Sequence, residues 1–323
     1  MPETILDKLK QGVVLGDGGY VLELERRCLT EAGPFTPQAA LEHPDAVREL
    51  HLEFLRAGCE VLQVLAFYGS REKLHTVGYA DRVEELNRKA TRIAKEAASG
   101  RALVAADLSP TWKWAESPET AQRMFDEQIA WQTEEGSDFI IGETFFHVGE
   151  AELCLARAKA LTSLPVMITM AMRGEAVSED GVRLGECMKR LVDGGADIVG
   201  VNCMRDPERM YPLIEEVRRA TYGFIAAQPV AYRCSDEVPW FTGTDAFPQR
   251  LEPTQLTRFE MGEFARRAKD MGVNYIGGCC GSAAIHLRQM AEALGKYRKD
   301  ERVWSPNYAR PMSETEYGKR PVS

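Results

Sequence analysis

Eight short, nearly unbroken apolar runs recur along the chain, separated by longer stretches, and that alternation limits the fold more than any other feature of the sequence. The runs are VVLGD (13–17), EVLQVLAF (60–67), ALVAAD (102–107), DFIIGE (138–143), VMITMA (166–171), DIVGVN (197–202), GFIAAQ (223–228) and YIGGCC (275–280). Continuous Val- and Ile-rich runs of this length are what strands buried on both faces require. Helical patterns lie between them. PDAVRELHLEFLRAG opens on proline and closes on glycine, the usual terminal signals of a helix. YADRVEELNRKATRIAKEAA, SPETAQRMFDEQIAWQTEEG, GEAELCLARAKALT, PERMYPLIEEVRRA, TRFEMGEFARRAKDMG and AAIHLRQMAEALGKYRK carry the same periodicity. Strand followed by helix, eight times, predicts an α/β chain closed into a (β/α)8 TIM barrel. A doubly wound open sheet is the alternative, but no GxGxxG follows the first strand. The barrel is expected over residues 1–302, with 303–323, polar and lacking periodicity, as a tail or arm.

With 44% apolar residues the chain can bury a large core, and a net charge of −9 argues against general affinity for nucleic acid or acidic membranes. The opening residues lack the apolar run of a signal peptide, and no stretch approaches the roughly 20 apolar residues of a spanning helix. A cytoplasmic location is therefore expected. In a reducing compartment the eight cysteines (28, 59, 154, 187, 203, 234, 279 and 280) read as free thiols or metal ligands, with disulfides disfavoured.

In a barrel, chemistry gathers where strands run into βα loops. The first strand delivers Asp17, Gly18 and Gly19 there, the second Phe67 and Tyr68, the fourth Glu143, the sixth Cys203 and the eighth Cys279 and Cys280. Three thiols on one rim suit zinc, and three protein ligands leave a fourth position open, the catalytic arrangement. Adjacent ligands need a backbone that departs from strand geometry, which Gly277, Gly278 and Gly281 are placed to supply. A phosphate-binding loop at the glycine-rich eighth strand is the competing reading, with Arg233 as its one basic candidate. Asp17 and Glu143 beside the thiols suit an ammonium group. Phe35, Phe67 and Tyr68, joined by Trp112 and Trp114, suit the cation–π capture of a quaternary ammonium or sulfonium. The five histidines lack metal spacing and read as structural.

LGDGGYVLELERR, AGPFTPQAALEHPDAVRELHLEFLRAG, FYGSREKL, GVNC, QPVAY and YIGGCCG together resemble the homocysteine S-methyltransferase family, and FYGS with GPFTP its betaine-using branch. The resemblance spans about residues 10–298. It implies a homocysteine-binding barrel in which Cys203, Cys279 and Cys280 hold zinc. Asp17 and Glu143 then bind the homocysteine amino group, with Gly18 and Gly19 near its carboxylate, and Phe67 and Tyr68 form the donor pocket. It further implies methyl transfer from glycine betaine to homocysteine, giving methionine and dimethylglycine; a sulfonium donor, S-methylmethionine or dimethylsulfoniopropionate, is the alternative. The chain departs from the pattern at Phe35, where relatives have tryptophan, and at Thr144, where they have a tyrosine that can reach the metal. Relatives also carry a C-terminal dimerisation arm; the shorter tail here leaves a homo-oligomer open.

Overall fold

The computed structural model describes residues 3–296; the expected boundary at 302 and the tail beyond it lie outside the described residues. Each of the eight apolar runs contains a strand: β1 (Val14–Leu15), β2 (Val61–Gln63), β3 (Leu103–Leu108), β4 (Phe139–Phe145), β5 (Val166–Met170), β6 (Ile198–Asn202), β7 (Phe224–Gln228) and β8 (Tyr275–Ile276). All pair in parallel, in the order β1-β8-β7-β6-β5-β4-β3-β2. The remaining seam is bridged by Glu60. Its N–H donates to Leu15 O (2.8 Å), its carboxylate accepts from Leu15 N (3.0 Å), and its carbonyl accepts from Leu103 N (3.0 Å). The sheet thereby forms a nearly closed (β/α)8 barrel, as the alternation predicts.

Inward-facing Val14, Val61, Phe139, Met167, Ile198 and Tyr275 fill the N-terminal half of the barrel. Ile5 and Leu9, from a helix over Ile5–Gln11, pack into the same cluster and stopper that end. A second apolar layer lies between strands and helices. Chemistry is thereby confined to the opposite end, where the strands deliver their C-terminal residues.

Local signals explain several helix limits. The helix Pro44–Ala57 begins on its proline and ends at Gly58, whose φ of +105° suits glycine. Ser117, Asp206 and Thr257 cap three others through their side chains. One crossover helix, Leu184–Asp193, stands outside the sequence patterns above: only ten residues long, it follows an irregular segment that hides its start.

Candidate active site

The three cysteines meet. Their sulfurs lie within 4.8 Å of one another, with Cys203 Sγ 3.8 Å from Cys280 Sγ. Four tetrahedral ligands at zinc–sulfur distances of about 2.3 Å stand roughly 3.8 Å apart, so the donor set fits that ion in type and in spacing. Among the described residues this is the one group of three or more His, Cys, Asp or Glu with metal-holding geometry, and no histidine belongs to it. All eight cysteines are free.

Cys203 follows directly on β6, as expected. β8 ends at Ile276, however, so Cys279 and Cys280 belong to the loop beyond it rather than to the strand. The main chain after β7 holds both elements: Cys203 N donates to Gln228 O (2.8 Å), Cys279 N to Pro229 O (2.9 Å) and Ala231 N to Cys280 O (2.9 Å). Of the three glycines around the pair, only Gly281 uses conformational freedom (φ +78°). Gly278 is instead required for closeness, because a Cβ there would stand 2.4 Å from that of Ser282. The thiols also polarise one another. Hydrogen bonds from Cys279 and Cys280 pull the Cys203 thiol well below the ordinary cysteine range, while both partners are pushed up.

Below the sulfurs opens a cleft whose floor carries Asp107 and Glu143, together with Gln63, and Asp17 is buried behind it, bonded to the Gln63 main chain. All three carboxyls are buried, and among the described residues none has an ion-pair partner. Glu143 accepts from Gln63 Nε2 (2.7 Å) and Asn202 Nδ2 (2.6 Å); Asp17 accepts from Gln63 N (2.7 Å) and from the Tyr20 hydroxyl. Burial dominates their titration. It raises Asp17 to about 7 and Asp107 to about 8, and lifts Glu143 well above the carboxylate range with help from the charge of Asp107. Glu143 lies inside β4, which runs on to Phe145 through a register shift, rather than at the strand's end.

Asp107 was not singled out by sequence. It closes the third apolar run, where a turn is the ordinary reading of an aspartate, yet its Oδ1 is buried without a hydrogen-bond partner. Because its carboxyl is protonated in the folded chain but ionised when unfolded, the native state holds the extra proton from about pH 4 up to about pH 8. Stability through this group therefore falls as pH rises across that window. Asp107→Asn is expected to raise the melting temperature at pH 8 more than at pH 5, as thermal melts at the two pH values will record.

The rim is aromatic. Tyr68 packs on Phe67 (centroids 4.2 Å apart) and on Trp112 (6.1 Å), which continues to Phe146 (6.1 Å). Ser109 Oγ accepts from Tyr68 N (2.8 Å), tying the loop after β2 to the one after β3. Phe35 lines the cleft against Leu22, Cys203 and Cys279. Trp114 does not join the others but lies against Gly149; Phe146, unforeseen from sequence, takes that place. Thr144 is buried, its N–H and hydroxyl both held by the Asn202 amide (2.9 and 2.8 Å). Phe35, Tyr68, Trp112, Thr144, Cys203 and Met204 all have φ between +54° and +63°, a costly conformation for non-glycine residues that concentrates around this cleft. Arg233, the candidate phosphate ligand, instead pairs with Glu260 (2.7 Å). No helix among the described residues is long and apolar enough to cross a membrane.

Comparison with known proteins places the chain. Residues 14–294 match the model of the homocysteine S-methyltransferase family. The chain is 42% identical to betaine–homocysteine S-methyltransferase 1 of Danio rerio over 306 residues, covering 91% of this chain and 76% of that protein. It is 37% identical to an S-methylmethionine–homocysteine S-methyltransferase of Pongo abelii over 304 residues, covering 91% and 82%. The crystal structure of the metallated homocysteine methyltransferase MmuM of Escherichia coli shares the fold, with a TM-score of 0.73 at 19% identity over 88% of this chain and 96% of that one. With the family model matched over nearly the whole barrel and a relative at 42% identity, the chain belongs to the homocysteine S-methyltransferase family.

Proposed function

We propose that this chain is a zinc-dependent, cytoplasmic methyltransferase that moves a methyl group from an onium donor, glycine betaine foremost, to homocysteine, giving methionine and dimethylglycine. The observation that carries the reading is the stacking of three environments in one cleft: sulfurs spaced for a tetrahedral ion, a carboxylate floor with no cation, and an aromatic rim.

Cys203, Cys279 and Cys280 would hold the metal, which, when bound, supplies the positive charge that favours the acceptor's thiolate over its thiol. Asp17, Asp107 and Glu143 receive the acceptor's ammonium, whose charge offsets the cost of keeping these carboxyls from water. Gly18 and Gly19 line the cleft and bring their main chain to the acceptor's carboxylate. Gln63 and Asn202 fix Glu143 in place. Tyr68, Phe67, Phe35 and the Trp112–Phe146 pair offer ring faces to the donor's cationic head. Burial keeps the Tyr68 phenol protonated, so its ring and its O–H, not an anion, meet the donor. A carbon–sulfur bond then forms as the carbon–nitrogen bond breaks, and the electron pair leaves on the donor nitrogen. Holding two substrates in line supplies most of the rate, on the order of 7–11 kcal/mol at best.

The deciding assay supplies homocysteine with glycine betaine, dimethylsulfoniopropionate or S-methylmethionine and measures methionine. One dimethylglycine per methionine from glycine betaine is expected, and methionine from none of the donors would sink the reading. A desolvated cation–π contact contributes up to about 2 kcal/mol. Tyr68→Ala should therefore raise the donor's KM more than about tenfold, whereas Tyr68→Phe, which keeps the ring, should have a mild effect. Melting temperatures taken alongside separate lost packing from lost recognition.

A further inference from the structure

The aromatic rim is edged by cations. Lys73, from the short helix Arg71–His75, sets its Nζ 4.3 Å from the centre of the Tyr68 ring and 5.8 Å from that of Trp112. Across the patch the Arg173 guanidinium stands 4.1 Å from the centre of the Phe146 ring. Arg173 has a counter-ion in Glu179, 2.5 Å away. Lys73 has no carboxylate within 4.0 Å among the described residues and donates no hydrogen bond to one there. Lys89, Lys189 and Lys269 also lack a described carboxylate partner, but Lys89 donates to Leu41 O and the other two are exposed, whereas Lys73 is partly buried and loses some hydration for it.

An aromatic cage for a bare cation has no use for a lysine on its face: like charges there oppose binding of the donor. The arrangement makes sense when the donor brings its own anion. Tyr68 links the two ends, since its ring packs 4.2 Å from that of Phe67, which lines the cleft with Cys203 and Cys280, and also carries Lys73. Resting on the methyltransferase reading above, we infer that Lys73 binds the carboxylate of the methyl donor and restricts this cleft to zwitterionic donors, whose onium centre and carboxylate sit on one short chain. Glycine betaine and dimethylsulfoniopropionate satisfy that demand with no net charge. S-methylmethionine adds an ammonium, which Lys73 and Arg173 disfavour, and a sulfonium lacking a carboxylate leaves Lys73 unpaired.

The test compares wild-type enzyme with Lys73→Met, which keeps the apolar stem, and Lys73→Arg, which keeps the charge. Donors are glycine betaine, dimethylsulfoniopropionate and trimethylsulfonium, the last having no carboxylate. Loss of a charge-assisted contact should raise the KM of Lys73→Met for both zwitterions about tenfold or more, with kcat little changed. Trimethylsulfonium, read as a donor or, where it is not turned over, as a competitive inhibitor, should bind the variant as well as or better than wild type. Lys73→Arg should retain most of the zwitterion affinity. Equal losses for all three compounds, or an unchanged KM for glycine betaine, overturn the inference. A wild-type enzyme that methylates homocysteine from no onium donor defeats the underlying reading instead, so the two failures are distinguishable.

Discussion

Replacing Cys203, Cys279 or Cys280 singly by alanine is expected to strip the protein of its zinc and lower methyl transfer by about three orders of magnitude or more, the scale of several kcal/mol of lost metal assistance. Elemental analysis of protein purified under reducing conditions should find about one zinc per chain in wild type, consistent with three thiol ligands and an open position, and essentially none in the variants. The barrel should survive the loss. Its core is built from two apolar layers independent of the sulfurs, and the cysteine loops are held by main-chain hydrogen bonds to the segment after β7. Circular dichroism should therefore show a folded apo protein, unlike small domains that unfold without their metal. Stoichiometric zinc in all three variants would overturn the assignment.

Glu143→Ala should weaken homocysteine binding by roughly 1.5–3 kcal/mol, the range for hydrogen bonds to charged groups, and so by about ten- to a hundredfold. The substitution also leaves Gln63 Nε2 without the acceptor it has at 2.7 Å and Asn202 Nδ2 without the one at 2.6 Å. Asn202 retains Thr144 Oγ1 at 2.8 Å, so the effect should stay with the acceptor. Donor KM should change far less. The readout is calorimetric titration of homocysteine beside steady-state kinetics in both substrates, and unchanged homocysteine affinity in a folded variant would leave Glu143 a structural residue only.

The strands were legible because a strand covered on both faces must be apolar at every position, a demand strong enough to show as eight unbroken runs. Their limits were less so. β8 stops at Ile276 although the apolar pattern continues through Cys280, because Cys279 N and Cys280 O pair with the segment beyond β7 instead of a neighbouring ladder. Asp17, Glu143 and Cys203 stand out in the sequence because polar or reactive residues closing an apolar run are few, although β4 carries on past Glu143 to Phe145. Asp107 occupies the same kind of place without standing out by type; what marks it is a buried Oδ1 that has no hydrogen-bond partner, which only coordinates reveal. Gln63 and Asn202 carried a usable signal, each a polar side chain in an apolar strand. Lys73 and Phe146 carried none: one sits in a charged pentapeptide and the other beside a strand end, and only folding of the β2, β3 and β4 loops brings both to the Trp112 ring.

The main-chain clamp on the cysteines has an evolutionary consequence. The metal half of the rim comes from β6 to β8 and is fixed by Gln228 O, Pro229 O and Ala231 N, atoms that every residue other than proline at 231 would provide. The donor half comes largely from the loops after β2, β3 and β4 and is made of side chains. Substitution can therefore rewrite what the donor half accepts without loosening the thiol cluster, so that new methyl sources can be tried while the reactive centre stays assembled. Drift in donor preference should accordingly be recorded at positions such as 35, 73, 112, 146 and 173, with the 228–231 backbone as the fixed datum against which the changes are measured.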